Sequence, residues 1–389
     1  MKILHVVASY LPATRYGGTI VSVHGLCRAL AARGHDVHVY TTSVDGPGDS
    51  PVPHEVPVSR DAVKVWYFRS TYARRLYWAP GLGRALQAHV GEFDAVHVHA
   101  IYLWPLWKAA WTARGAGVPY VISPRGMLEK SLVDKKSALP KRALIRFIER
   151  PSLEHAAAIH VTSRREGDEI RSFGFALPPV EEIPNGVDLD NCPPGAVSPE
   201  VQRLIDAGPF VLFLGRLNWK KGLDRLIAAL AHAPGVRVVV AGNDEDGYRD
   251  TLQALAGRHG VAGRWSFAGP VAGANKAALL ARAQLLVLPS YSENFGNVVL
   301  EAMAAGRPVV VTPEVGLSAA VRDAGAGLVV DGTPQALGEA LASLASDAEA
   351  QSAFGARGRA LAEARYSWDA VAAQMERLYQ TVQGSRPPC

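Results

Sequence analysis

Short apolar runs alternate with longer segments of helical periodicity along nearly the whole chain, and no other pattern restricts the fold as tightly. Such alternation builds parallel strands with helices over both faces of a sheet. In the first half it predicts strands at Lys2–Ala8, Asp36–Thr42, Val63–Phe68, Ala95–Val98, Tyr120–Ser123 and Ala158–Val161. Between the first two, Ile20, Val23, Leu26, Cys27 and Leu30 recur at helical spacing. The stretch Asn185–Pro199 carries Gly and Pro without periodicity and reads as a linker. A second alternation follows, with strands expected at Phe210–Leu214, Arg237–Ala241, Trp265–Ala268, Leu285–Pro289, Pro308–Thr312 and Gly327–Val330. At 389 residues the chain suits two domains rather than one core. The division expected is 1–190, 191–367 and a last helix within 368–389.

Composition excludes several classes. An apolar content of 48% with 20% charged residues describes an ordered globular chain. No apolar run approaches the roughly 20 residues of a membrane span. The amino-terminal Met1–Ala8 segment is too short for a secretory leader and holds His5, so a first strand and a cytoplasmic location are expected. Cys27, Cys192 and Cys389 show neither C-x-x-C nor metal-ligand spacing and read as reduced thiols. Between Arg125 and Arg150 lie eight basic residues against three acidic ones, a patch suited to anionic lipid headgroups at the inner face of a membrane, or to a diphosphate-bearing acceptor. A solvated helix face is the alternative reading. No nucleic-acid-binding motif accompanies the charge.

The chemistry concentrates in Tyr291-Ser-Glu-Asn-Phe-Gly-Asn-Val-Val-Leu-Glu301. Flanking apolar runs put Glu293 in a loop at the carboxyl end of a strand and Glu301 on the helix after it. Free amides around Phe295-Gly296-Asn297 suit an anion. Two carboxylates can grip vicinal hydroxyls while amides hold a phosphate, and a sugar nucleotide presents both. Gly17-Gly18, in the first strand-to-helix loop, lets backbone approach a diphosphate or an acceptor. The absence of G-x-G-x-x-G argues against a dinucleotide dehydrogenase.

These residues resemble the E-x7-E signature of retaining glycosyltransferases of family 4. Gly17-Gly18, Pro184-Asn-Gly-Val-Asp188 and Gly215-Arg216 with Lys221-Gly222 extend the resemblance over almost the whole chain. It implies a GT-B fold: two Rossmann-like domains facing a central cleft, with the last helix, Trp368–Gln383, crossing back to the first domain. It implies that Arg216 and Lys221 bind the donor diphosphate and replace a metal, that Glu301 holds the ribose and that Glu293 lies near the sugar. Asn294, Phe295, Gly296 and Asn297 complete the donor loop, and Asn243, Val271 and Lys276 are placed near the nucleotide base. No cofactor or metal is expected.

Many relatives carry a functional histidine where this chain has Arg125. Arginine cannot serve as a base at neutral pH but can clamp a phosphate or an acidic acceptor. Arg125 and Tyr16 are therefore assigned to the acceptor. His97 and His99 are expected on opposite faces of their strand, with His99 towards the ligand as a catalytic group. The rings of Trp66, Tyr67, Phe68, Tyr72, Tyr77 and Trp78 are read either as a dock for an amphiphilic acceptor or as domain packing. Together these expectations describe hexose transfer from a nucleoside-diphosphate sugar to a glycan, with a lipid-linked oligosaccharide of surface polysaccharide assembly as acceptor. Attack on the donor's front face, with the leaving phosphate taking the acceptor proton, is the mechanism implied. A nucleotide-sugar epimerase and a non-catalytic nucleotide-sugar-binding protein are the rival readings.

Overall fold

The structure is a computed structural model that describes residues 1–13, 17–129, 142–189, 195–244 and 247–384. Two units divide it: Met1–Gly186 with Trp368–Cys389, and Val187–Ser367. The first boundary falls four residues before the expected one. Val187 already belongs to the second unit, because its N–H donates to Tyr366 O at 2.8 Å and it bridges to Ser367.

In chain order the first unit holds β1 (Lys2–Ser9), β2 (Asp36–Thr42), β3 (Val44–Asp45), β4 (Gly48–Asp49), β5 (Pro57–Arg60), β6 (Val63–Phe68), β7 (Ala95–His99), β8 (Tyr120–Ser123), β9 (Ala158–Val161) and β10 (Val180–Glu182). The short β3–β4 pair forms a hairpin of its own, and the other eight make one sheet in the order β10-β9-β8-β7-β1-β2-β6-β5. Within that sheet, among the described residues, only the β5–β6 pair is antiparallel. β5 and β10 lay outside the sequence expectation because each is a short, largely polar edge strand.

Period-two alternation sorts the strand residues onto two apolar layers. Leu4, Val6, Val96, Val98 and Ile122 pack on one face of the sheet. Ile3, Val7, Ala95 and Val121 pack on the other, against Val23, Leu26 and Leu30 of the Gly18–Ala32 helix and Val371, Met375 and Leu378 of the Trp368–Gly384 helix. The last helix therefore completes the core of the first unit. The Trp368 ring of the last helix fits here because Gly25 and Gly186 lack side chains. A Cβ at Gly25 would stand 2.2 Å from the Trp368 ring, and one at Gly186 2.4 Å from it. Alanine at Gly25 gains about 1 kcal/mol in helix propensity, but a rigid indole has little room to yield. Overpacking of this kind costs about 1–3 kcal/mol. Gly25→Ala is expected to lower the thermal midpoint, and an unchanged or raised midpoint in a melting curve would contradict this packing.

The second unit runs β11 (Val211–Leu214), β12 (Val238–Ala241), β13 (Trp265–Gly269), β14 (Leu285–Leu288), β15 (Val309–Val311) and β16 (Gly327–Val329). All pairs are parallel, in the order β13-β12-β11-β14-β15-β16. Val211, Leu212, Phe213 and Leu214 are all buried, as expected for a strand covered on both faces. In each unit the strand order reverses direction beside its first strand, between β1 and β7 and between β11 and β14. Open parallel sheets bind ligands beyond their carboxyl edge at such a point. The sheets thus mark where to look.

Candidate functional site

In the second unit, the loops leaving β11 and β14 are laced together. Gly222, at φ +65°, lies so close to the chain leaving β14 that a Cβ would meet Pro289 O at 2.0 Å. The Tyr291 N–H donates to Lys220 O at 2.7 Å. This brings Lys221 to Glu293, and its ammonium donates to the Glu293 carboxylate. Glu293 is fixed in turn by its backbone: its N–H donates to Glu314 O at 3.2 Å and its carbonyl accepts from Gly316 N–H at 2.9 Å.

Gly296, at φ +98°, turns the chain into the Asn297–Ala304 helix, which carries Glu301. Lys276, from the Gly273–Arg282 helix after β13, donates to Glu301 Oε1 at 2.9 Å. Glu301 Oε2 is buried and has no partner. Two acid–cation pairs thus stand at the carboxyl edge of the second sheet. One of the acids has an acceptor oxygen to spare.

The other expected donor residues divide. Arg216 is exposed and follows β11 directly, beside Gly215. Asn243 is exposed and its carbonyl accepts from Leu217 N–H at 2.7 Å, so the β12 loop braces the β11 loop. Asn294, in the loop after β14, and Asn297, at the start of the helix that follows, are half-buried. Val271 is half-buried and packs on the hydrophobic core. The Phe295 side chain is buried against Tyr366, with ring centroids 6.5 Å apart, so it has only its backbone to offer a ligand.

In the first unit, Gly17 caps the Gly18–Ala32 helix at φ +85°, a conformation that favours glycine. Gly18 is exposed on the first turn. Tyr16 lies outside the described residues. The expectation for His97 and His99 was wrong. Residues two apart in a strand share a face, and their ring centroids are 4.0 Å apart. Both rings are fully buried, as are His5 and His160 within a few per cent.

Two hydrogen-bond chains organise these rings, and donors fix their tautomers. Arg125 can only donate, so its Nη2 at 3.1 Å makes His99 Nδ1 an acceptor. His99 Nε2–H then donates to His5 Nδ1 at 2.9 Å, which leaves His5 Nε2–H buried and without a partner. In the second chain Ile183 O accepts from His160 Nε2–H at 2.8 Å, and the Ser123 hydroxyl donates to His160 Nδ1 at 2.6 Å. Ser123 Oγ accepts from His97 Nε2–H, and His97 Nδ1 accepts from the Tyr379 hydroxyl, each at 2.6 Å. Burial pushes the pKa values of His5 and His160 down to about 3, with the Arg125 charge adding to the effect. Burial also carries His97 and His99 well below the ordinary value. All four rings are neutral at pH 7.

Ring nitrogens of His5, His97 and His99 lie within 4.8 Å of one another, a spacing that could hold a metal. The chemistry disfavours it: both nitrogens of His97 are engaged, and a guanidinium already contacts His99. Asp-x-Asp spacing does occur in the chain, at Asp188-Leu-Asp190 and Asp244-Glu-Asp246, and the later aspartate of each lies outside the described residues. The expectation of a metal-free site therefore rests on the cations alone.

Lys130, Lys135, Lys136 and Lys141 of the basic patch also lie outside the described residues. Trp66, Tyr67 and Phe68 are strand residues, the last two buried, whereas Tyr72 is 74% exposed. Sequence reasoning overlooked Ser123, His160, Tyr379 and the loop around Glu314. No local signal marks them, because distant segments bring them together. Among the described residues no helix is long and apolar enough to cross a membrane.

Comparison with known proteins shows the fold and the family. The model of glycosyl transferases group 1 matches residues 198–361, and that of the glycosyl transferase 4-like domain matches residues 17–186. D-inositol 3-phosphate glycosyltransferase of Xylanimonas cellulosilytica is 31% identical over 396 residues, covering 95% of this chain and 93% of that protein. Its counterpart in Mycobacterium avium is 32% identical over 370 residues, covering 91% of this chain and 86% of that one. Among solved structures, sucrose-phosphate synthase of Thermosynechococcus elongatus has a TM-score of 0.78 at 24% identity and covers 99% of both chains. HepE of Anabaena in complex with UDP has a TM-score of 0.75 at 22% identity, covering 98% of this chain and all of that one. The fold class is GT-B, built from two Rossmann-like α/β domains. With both domain models matched in order and relatives at 31% and 32% identity covered nearly end to end, the chain belongs to the family 4-like glycosyltransferases.

Proposed function

We propose that this glycosyltransferase is a retaining, metal-independent enzyme that moves a hexose from a nucleoside-diphosphate sugar to a glycan acceptor. A lipid-linked oligosaccharide is the acceptor favoured. The observation that carries the donor assignment is the double acid–cation arrangement at the β11–β14 switch point, with Glu301 Oε2 unpartnered. Ribose hydroxyls would satisfy that oxygen. A diphosphate would draw Lys221, aided by Arg216, away from Glu293. As the sugar–phosphate bond breaks, negative charge grows on the leaving group, and a fixed cation stabilises the transition state more than the ground state. The acceptor hydroxyl would pass its proton to the departing phosphate on the same face of the sugar, which retains configuration without a protein nucleophile. UDP and UDP-glucose in complexes of Anabaena HepE put uridine first among the bases to test. Arg146, whose guanidinium lies 5.9 Å from the centroid of the 70% exposed Phe147 ring, supports contact of the first unit with anionic lipid.

Ligands that bind only the folded state raise its melting temperature. UDP, GDP, ADP and their sugars, tested by thermal shift, should give one base that raises the midpoint by several degrees. Glu301→Ala should erase that shift. If none of these nucleotides moves the midpoint, the donor site is wrongly placed. Incubation with extracted lipid-linked glycans, set against free sugar phosphates, decides the acceptor.

A further inference from the structure

Tyr291 stands two residues before Glu293 and is 36% exposed, yet its ring is firmly held. Its hydroxyl donates to Asp224 Oδ2 at 2.8 Å. The Arg225 guanidinium lies over the ring, 3.5 Å from its centroid, and its Nη1 donates to Pro289 O at 3.4 Å. Asp224 and Arg225 lie in the first turn of the Leu223–Ala229 helix, which begins directly after Lys221-Gly222. Trp219, in the turn that carries Lys221, adds a ring 6.5 Å from that of Tyr291. Three side chains that follow β11 thus reach one tyrosine that follows β14. Gly332 makes room for them: a Cβ there would stand 2.2 Å from Arg225 Nη1. Burial and the hydrogen bond to Asp224 hold the Tyr291 pKa above the ordinary value, so the hydroxyl keeps its proton.

These ties are separate from the Lys221–Glu293 ion pair, and the separation matters when that pair opens. On the proposed function a diphosphate draws Lys221 away from Glu293, and the attraction that joins their loops is lost. Both groups must nevertheless stay in place, since a displacement of about 1 Å in a reacting assembly costs on the order of 10²-fold in rate. A cation stacked on a ring and a hydroxyl bound to a carboxylate need not part to admit a ligand. We propose that Arg225, Asp224 and Tyr291 are positioning residues that keep the Lys221 and Glu293 loops at working distance once the donor has opened the ion pair. The proposal rests on the donor reading and assigns to it three residues that need not touch the donor.

Melting curves of the full chain with and without UDP, GDP and ADP test this. With the preferred nucleotide at about a hundred times its wild-type dissociation constant, Arg225→Ala should bind about tenfold more weakly, which shrinks the rise in midpoint by roughly 3–5 °C. Without nucleotide it should melt within a few degrees of wild type, because the ion pair and the Tyr291 N–H bond to Lys220 O still join the loops. Arg225→Lys, which keeps a cation over the ring, should recover part of the loss. Tyr291→Phe keeps the ring and loses one oxygen, so its rise should fall between wild type and Arg225→Ala. An equal rise in wild type and all three variants makes the bracket a surface staple and overturns the proposal, while the donor assignment stands. A loss in Arg225→Ala with a wild-type rise in Tyr291→Phe also overturns it, because the guanidinium would then meet the diphosphate itself. If no nucleotide moves the wild type, the donor reading fails and the proposal falls with it. Should Arg225→Ala fold poorly, Tyr291→Phe and Arg225→Lys carry the comparison.

Discussion

Lys221→Ala should reduce kcat by roughly 10²–10³-fold, the loss seen when one preorganised electrostatic contact to a charged transition state is removed. Lys221 meets the Glu293 carboxylate, and on the proposed function it would meet the leaving diphosphate during transfer, a contact that strengthens as the bond breaks. On the proposed function, Glu301→Ala acts on the ribose end of the donor. It should raise the donor KM first, because ribose hydroxyls carry no new charge in the transition state. Both residues are partly exposed, at 16% and 19% of the side chain, so their ion pairs add on the order of 1 kcal/mol or less to stability. The variants should therefore melt within a few degrees of wild type. Initial rates on purified protein alongside melting curves check this. Near-wild-type turnover in Lys221→Ala would remove the assignment.

Acid should dismantle the first unit long before the second. His5 and His160 have folded pKa values near 3, below the 6.5 of an unfolded chain, and His97 and His99 are lowered in the same direction by burial. Between those values the unfolded state binds protons that the folded state refuses, so stability falls as pH falls through this window. Each histidine held neutral costs roughly 1–2 kcal/mol per pH unit below 6.5. Four together reach several kcal/mol by pH 5, a large part of a typical stability margin of about 5–15 kcal/mol.

His35 and His38, partly buried and lowered, act in the same sense. Glu149 opposes them. It accepts from the Tyr102 N–H and the Trp107 indole, and burial pushes its pKa up to about 7. Its folded pKa exceeds its unfolded one, so it favours folding as pH falls from 7 towards 4.5. One such group does not offset four. Urea midpoints measured from pH 7.5 to 4.5 should drop steeply below 6.5, and less steeply in His160→Gln. A flat profile would mean that the buried rings accept protons without cost.

The alternation of the sheets was legible because fully buried strands such as Val211–Leu214 and Leu285–Leu288 leave unbroken apolar runs. β5 and β10 were not, since edge strands made of Pro57-Val-Ser-Arg60 and Val180-Glu-Glu182 owe their pairing to neighbours rather than to composition. Glu293 and Glu301 could be found by their spacing within one chain segment, and Lys221 and Gly17-Gly18 by their places in loops that follow strands. The partnership of Lys276 with Glu301 could not, because the strands that precede them are separated in the sheet by β12 and β11. Sequence marked His5 only as a residue unsuited to a leader peptide. Its place opposite His97, the Tyr379 hydroxyl beyond and the Ser123 relay exist only once β1, β7 and the last helix are assembled.

That last helix has a consequence for biosynthesis. The ribosome releases Met1–Gly186 first, then all of Val187–Ser367, and only then the segment that covers Val7, Val23 and Leu26. At about 5–20 residues per second the intervening stretch takes roughly 10–40 s to appear. Throughout that interval one apolar layer of the nascent sheet faces water or a chaperone, while the later-made unit can already close. Translation order and order of completion are thus reversed in this molecule, and a ribosome stalled before Trp368 would leave the earlier-made half as the unfinished one.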